Sequence, residues 1–262
     1  MKIIFIGDVV GDIGRKALYR AVEHWRARFA PDLVVVNGEN AAGGRGITTP
    51  LAQEFIEHGV DVITLGDHVW DQRELQENID TQPRVLRPFN FQSGTPGHGS
   101  LVLPTPEGPV GVLCLMGRTF MHVGPENPFT RGREEAERLR REGVCALLVD
   151  MHAEATAEKL ALGYHLDGVA SAVFGTHTHV QTADARILPG GTAYMTDVGM
   201  CGSRDGVMGR LAEASVLGQV SSMPCKLAIG DWPALVSGAL VEVDAASGRA
   251  THLEPLNLTL EQ

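Results

Sequence analysis

Six short runs of apolar, mostly β-branched residues recur along the first two thirds of the chain, and each stops abruptly at polar residues. They cover residues 3–6, 33–36, 60–65, 110–116, 144–149 and 169–174. Runs this continuously apolar predict strands covered on both faces. Helical spacing fills the gaps. Residues 15–29 set Ala17, Leu18, Ala21, Val22 and Trp25 at the i, i+3, i+4 spacing of one buried face. Residues 50–58, 71–78, 131–142 and 154–162 also read as helices. Alternation of strand and helix predicts an α/β protein with largely parallel strands. After about Thr192 the pattern changes. Residues 235–243, the turn Ala245-Ala246-Ser247-Gly248 and a second alternating stretch ending at Leu260 predict an antiparallel hairpin. Two sheets, or one mixed sheet, are therefore expected. No repeat, low-complexity tract or long linker interrupts the chain, so a single domain over 1–262 is the expectation.

Five of the six runs deliver metal-capable side chains at their carboxyl ends: Asp8; Glu39 and Asn40; Asp67 and His68; His152; His177 and His179. In open α/β sheets ligands bind outside that end. Carboxylate oxygens, an amide oxygen and imidazoles together suit Mn, Fe or Zn and suit Ca or Mg poorly. A single tetrahedral zinc takes about four ligands. The larger donor set here points to two metals sharing a bridging group, as in hydrolases acting at phosphorus. Plainer readings exist for the individual segments: Asp8 could cap the following helix, and residues 39–46 could form a flexible glycine-rich loop. The other histidines, His24, His58, His98, His122, His165 and His252, lack such company and are expected to be solvated or structural.

Composition narrows the partners. A formal net charge of −10 argues against binding long nucleic acid, which needs clustered positive charge, but not against a nucleotide-sized substrate held at a metal. No stretch approaches the roughly 18 apolar residues of a membrane span, and the first residues lack a signal-peptide core. No membrane partner and a cytoplasmic location are the expectations. The four cysteines show no CxxC spacing, and Cys114 and Cys145, inside apolar runs, are expected to be buried free thiols. No P-loop and no GxSxG elbow occur, and the glycines of 7–14 are wrongly spaced for a dinucleotide fingerprint.

Five motifs, in order along the chain, carry a resemblance: Gly7-Asp8-Val9-Val10-Gly11, Gly38-Glu39-Asn40-Ala41-Ala42-Gly43-Gly44, Gly66-Asp67-His68-Val69-Trp70-Asp71, Asp150-Met151-His152 and Gly175-Thr176-His177-Thr178-His179. Together they resemble the calcineurin-like metallophosphoesterases, and more narrowly the bacterial YmdB-like branch. The resemblance implies an α/β fold, a two-sheet αββα sandwich of the metallophosphoesterase type with mixed sheets flanked by helices. It implies a 2′,3′-cyclic-nucleotide 2′-phosphodiesterase carrying two transition metals, Fe or Mn before Zn. Carried over by position, Asp8, Glu39 and His179 hold one metal. Glu39 bridges to the second, which Asn40, Asp67, His152 and His177 also hold. In the mechanism that follows from this, a hydroxide between the metals would attack phosphorus, His68 would hand a proton to the departing 2′-oxygen, and Asp71 could orient that ring. Arg45 in the glycine-rich loop and Thr119-Phe120 after the fourth run are candidate substrate contacts. The expected partner is a small nucleotide-type phosphodiester, and a homo-oligomer is compatible with the sequence.

Two positions depart from the wider superfamily. Val10 stands where a histidine is usual, and Asp67 stands where the G-N-H element has asparagine. Asp67 adds a third carboxylate beside Asp8 and Glu39, which makes the site less positive and predicts tolerance for a trivalent iron. The rival readings are a phosphomonoesterase or nucleotidase of the same superfamily and a metal-bearing regulatory protein without turnover. An amidohydrolase barrel would place its HxH on the first strand, the reverse of the order here.

Overall fold

The computed structural model describes residues 1–262. The chain builds part of one sheet, then a second sheet, then returns to finish the first. Strands β1 (Lys2–Ile6), β2 (Asp8–Val9), β3 (Leu33–Asn37), β4 (Val62–Thr64) and β5 (Val85–Leu86) open the first sheet. The second consists of β6 (Ser100–Thr105), β7 (Gly108–Met116), β8 (Ala146–His152), β9 (Ala172–Thr176), β10 (Arg186–Ile187) and β11 (Ala193–Met195). β12 (Met200–Ser203), β13 (Ala234–Asp244) and β14 (Arg249–Leu260) complete the first. Its order is β2-β12-β13-β1-β3-β4-β5, with β14 also on β13, and that of the second is β10-β11-β9-β8-β7-β6. β1, β3, β4 and β5 are parallel, as are β7, β8, β9 and β11. The helices are α1 (Gly11–Phe29), α2 (Thr49–Glu57), α3 (Arg73–Asn78), α4 (Pro128–Arg141), α5 (Thr156–His165) and α6 (Ala212–Ser221).

Strand parity separates three cores. Ile3, Phe5, Leu33, Val35 and Val62 face the other sheet, meeting Val112, Cys114, Leu148 and Phe174 between the layers. The rings of Phe5 and Phe174 lie 5.8 Å apart. The alternate residues Ile4, Ile6, Val34 and Val36 pack instead under Leu18 and Val22 of α1 and Phe55 of α2. Across the second sheet, Leu147, Val149 and Val173 pack against Ala136 and Leu139 of α4 and Leu162 of α5. Both faces of each central strand are thus covered, which is why the runs are apolar without alternation. The result is the expected sandwich of two mixed sheets flanked by helices.

The inner face turns polar at the carboxyl ends. Leu33 and Val35 are followed at the same parity by Asn37, Val62 by Thr64, Leu148 by Asp150 and His152, and Ala172 and Phe174 by Thr176. All five polar residues are buried. They form a polar floor directly above the inter-sheet core.

Several expectations need correction. α1 begins at Gly11 and its N-cap is Val10, so Asp8 caps nothing. β8 starts at Ala146 and runs through His152, which places that histidine inside the strand and leaves Cys145 only partly buried ahead of it. β6 pairs antiparallel with β7, an edge hairpin that no apolar run announced. The C-terminal hairpin is present, β13 pairing antiparallel with β14 around a turn at 245–248. No helix is long and apolar enough to cross a membrane.

Candidate active site

The strand ends converge above the polar floor. His152 Nε2 lies 3.0 Å from Glu39 Oε1, 3.1 Å from Asp67 Oδ1 and 3.0 Å from His177 Nδ1. His177 Nδ1 is also 3.4 Å from Asp67 Oδ1. One donor atom from each of these four residues falls within 4.8 Å of the others. Beside this group His179 Nε2 stands 3.7 Å from Asp8 Oδ1 and 3.3 Å from Asn40 Nδ2, and Asn40 Nδ2 is 3.4 Å from Glu39 Oε1. The two histidines of the HxH therefore part company, His177 toward Asp67 and His152, His179 toward Asp8.

That divergence comes from the backbone. His177 and His179 have φ of 87° and 62°, left-handed values that histidine seldom adopts and that need support from their surroundings. Two carboxylates supply it. The amide of His177 donates to Asp8 Oδ2 at 3.1 Å, and that of Thr178 donates to Asp197 Oδ2 at 3.1 Å. Asp197 is buried together with Lys159, whose Nζ donates to it at 3.0 Å and to Thr178 Oγ1 at 2.8 Å.

The floor sets the tautomer of His152. Thr176 Oγ1 donates to Asp150 Oδ1 at 2.7 Å, while Thr64 Oγ1 and Asn37 Nδ2 donate to Asp150 Oδ2 at 2.5 and 3.1 Å. Thr176 Oγ1 lies 2.8 Å from His152 Nδ1. With the threonine proton committed to Asp150, Nδ1 carries a proton toward Thr176 Oγ1. Nε2 is turned to Glu39 and Asp67, to which it donates when the ring is protonated and beside which its lone pair would meet a bound cation.

A group so arranged fits metal cations. Asp8 Oδ1 and His179 Nδ1 are buried without a hydrogen-bond partner. Burial, reinforced by the carboxylates of Glu39 and Asp197, pushes Asp8 up to about 7. Burial alone would lower His152, yet the charge of Glu39 overrides it and holds the imidazole well above its usual range. Burial would raise Glu39 and Asp67, and their histidine neighbours overcome it in both. Burial brings His179 down to about 4, which keeps it neutral, the form that ligates a metal. A buried Asp8 that resists ionising beside Glu39, and a histidine that takes up a proton to offset the carboxylates around it, mark a donor set wanting positive charge. Gly66 makes room for it, since a Cβ there would sit 2.1 Å from His152 Cδ2 and 2.3 Å from Glu39 Oε2.

His68 stands apart from the donors. Its Nδ1 lies 3.0 Å from Asp71 Oδ2, its amide donates to Glu39 Oε2 at 3.3 Å, and its Nε2 is 3.9 Å from Asp67 Oδ2. Arg45 borders the cleft beside it, Nη1 reaching to 3.9 Å from Asp71. Phe120 lines the same cavity; Thr119 does not, and its amide is turned to Glu158 Oε2. His122, expected to be merely solvated or structural, is exposed but lines the cavity too.

Sequence reasoning missed the supporting residues. Asp150 was signalled by an acid two positions before His152 on one strand face, and Thr176 pairs with His152 in register. Glu154 Oε2, 3.3 Å from His177 Nε2, carried no signal. Nor did the segment 207–227, whose Met208, Arg210, Met223 and Leu227 wall a cavity over Glu39, Asn40 and His179. It is ordered in space by Arg210, which donates to Gly44 O and Leu227 O.

Known proteins share this arrangement of chain. The Bacillus subtilis (strain 168) protein named 2′,3′-cyclic-nucleotide 2′-phosphodiesterase is 42% identical over 97% of this chain and 96% of its own. A hypothetical protein from Thermus thermophilus superposes with a TM-score of 0.91 at 37% identity over the whole of both chains. A Mycoplasma pneumoniae crystal structure described as a novel phosphatase gives 0.92 at 32% identity, covering 100% of this chain and 94% of that one. The model of the YmdB-like proteins matches residues 4–256, and the chain belongs to that family.

Proposed function

We propose that the protein is a metal-dependent phosphodiesterase that opens 2′,3′-cyclic nucleotides to 3′-nucleotides. The observation that carries the reading is a histidine, His68, held by Asp71 beside a buried cluster of metal-capable donors without joining it. A purely structural metal site has no use for such a group. Glu39, Asp67, His152 and His177 would hold one ion and Asp8, Glu39 and His179 a second, with Fe or Mn the best match to mixed oxygen and imidazole donors. Asn40 would add its oxygen once its amide is turned over from His179. When bound, two such ions supply a water that ionises near neutral pH and positive charge for the phosphoryl oxygens.

The chain's own residues do the rest. Asp71 accepts from Nδ1 of the His68 ring, which leaves Nε2 to carry a proton toward the departing 2′-oxygen. The polar floor holds His152 in one tautomer and one orientation. Asp8 and Asp197 hold the HxH turn. The reading takes residues 1–262 as one domain acting on a small nucleotide in the cytoplasm.

Metal analysis of purified protein, paired with hydrolysis of 2′,3′-cyclic AMP before and after chelation, tests it. Close to two transition-metal ions per chain and formation of 3′-AMP that stops on chelation are expected. Release of adenosine from 3′-AMP or 5′-AMP, with the cyclic diester untouched, would make the protein a monoesterase. Fewer than one ion, restored by none of Mn, Fe or Zn, would remove the metal reading.

Asp67 gives a second test. Its carboxylate faces both His152 and His177, where an amide would leave the site one charge more positive. Asp67→Asn is expected to shift occupancy away from trivalent iron toward divalent ions and to change KM for the anionic substrate. Metal analysis and steady-state kinetics check it; identical metal content and KM would show the carboxylate to be immaterial.

A further inference from the structure

The cleft at His68 has two lobes, and a cyclic mononucleotide needs only one. The larger, about 600 Å³, lies over Glu39, Asn40 and His179 and is walled by Met208, Met223 and Leu227 with Gln219 among them. The smaller, about 510 Å³, lies on the other side over Asp67 and is lined by Arg45, Phe120 and His122. His68 and His177 border both. Each lobe lies within the ~300–1,000 Å³ of ordinary small-ligand pockets.

The lobes differ in chemistry. The first presents apolar walls with a side-chain amide, its Arg210 guanidinium being taken up by Gly44 O and Leu227 O, and is suited to a base. The second presents an aromatic ring and a guanidinium. Phe120 is 81% exposed with φ of 64°, an unusual conformation for a bulky residue. An exposed ring of this kind is a platform for stacking a base. The Arg45 side chain is 70% exposed and its one acid contact, to Asp71, is long at 3.9 Å, so the guanidinium is free to meet a phosphodiester.

Building on the proposed phosphodiesterase activity, we propose that the two lobes take the two neighbours of one terminal ribose. Its base enters the apolar lobe, and the nucleotide joined to its 5′-oxygen enters the lobe of Phe120 and Arg45. The favoured substrate is then a short oligoribonucleotide ending in a 2′,3′-cyclic phosphate. Water's oxygen bonds to phosphorus, the P–O2′ bond breaks, and O2′ takes the proton, leaving a 3′-phosphate terminus. The second lobe has room for one upstream nucleotide, and a net charge of −10 disfavours a longer strand.

Kinetics on Mn-reconstituted protein with adenosine 2′,3′-cyclic phosphate and with the di- and triadenylates bearing the same terminus test this. The dinucleotide is expected to exceed the mononucleotide in kcat/KM by about tenfold or more, the gain of stacking one base, and the trinucleotide to add nothing further. Phe120→Ala and Arg45→Ala should each pull the dinucleotide-to-mononucleotide ratio toward one. Calorimetric binding of the products should show the same preference for the dinucleotide 3′-phosphate over 3′-AMP. A wild-type ratio of one with brisk hydrolysis of the mononucleotide overturns the two-lobe assignment and leaves the phosphodiesterase reading standing. So does a ratio that both variants leave intact. No turnover of any of the three sinks both.

Discussion

His68→Ala is expected to lower kcat for 2′,3′-cyclic AMP by about 10²–10⁴-fold, the usual worth of a positioned general acid, with metal content at the wild-type level. The split between the two readouts follows from geometry. Nδ1 of His68 is engaged with Asp71 at 3.0 Å, and Nε2 comes no closer than 3.9 Å to Asp67, the nearest carboxylate of the donor cluster. Removing the ring takes no donor from Glu39, Asp67, His152 or His177. A substrate whose leaving group is a weakly basic nitrophenolate has less need of a proton, so the loss should shrink markedly with a nitrophenyl phosphodiester. A metal-depleted variant would make His68 a ligand. An equal loss on both substrates would make it a binding residue. Asp71→Asn, which keeps the ring's partner but removes its charge, should fall between wild type and His68→Ala.

Much of this site was legible because its parts sit at strand ends, where an apolar run gives way to an acid or histidine. Asp8, Glu39, Asn40, Asp67, His152, His177 and His179 are brought side by side at the strand ends. What the pattern hid is instructive. Asn37, Thr64, Asp150 and Thr176 belong to the strands, so they looked like their polar ends and not a floor. Their function depends on parity in four strands at once, which becomes visible only when β3, β4, β8 and β9 lie side by side. Spacing alone does not say where the two rings of the HxH go; left-handed φ at both histidines turns His177 toward Asp67 and His179 toward Asp8. Loops were the least legible part. Phe120 borders the cleft and its neighbour Thr119 does not, a difference made by the turn after β7. The wall of Met208, Met223 and Leu227 comes from a segment with no periodic signal, pinned through Arg210 to Gly44, where a Cβ would sit 2.3 Å from the guanidinium.

The largest loss of stability is expected at Lys159, which supports the HxH turn without offering a donor atom of its own. Its side chain is 1% exposed and its partner Asp197 is fully buried. Asp197 gathers four hydrogen bonds, from Lys159 Nζ, the Thr178 amide and hydroxyl, and the Gly199 amide. Lys159→Met keeps the aliphatic stem and removes only the ammonium, leaving a buried carboxylate without its counter-charge. Breaking a buried pair this way costs about 3–5 kcal/mol, a large share of the ~5–15 kcal/mol that holds a typical domain folded. At roughly 2–4 °C per kcal/mol for a chain of this size, Tm of the metal-free protein should fall by about 6–20 °C. Restoring neutrality should recover part of that, so Lys159→Met combined with Asp197→Asn is expected to melt above the single variant. Function should follow through the backbone. Asp197 holds the Thr178 amide between two left-handed histidines, and a relaxed turn would carry His177 and His179 off their partners. Metal affinity is then expected to fall about 10–100-fold, as when a ligand's supporting partner is lost, while His152 and Glu39 stay in place. Thermal unfolding of the metal-free protein and equilibrium metal titration separate the two effects. An unchanged Tm would mean that Asp197 is satisfied by the amides alone; a lowered Tm with unchanged affinity would mean that the HxH turn is held by Asp8 without it.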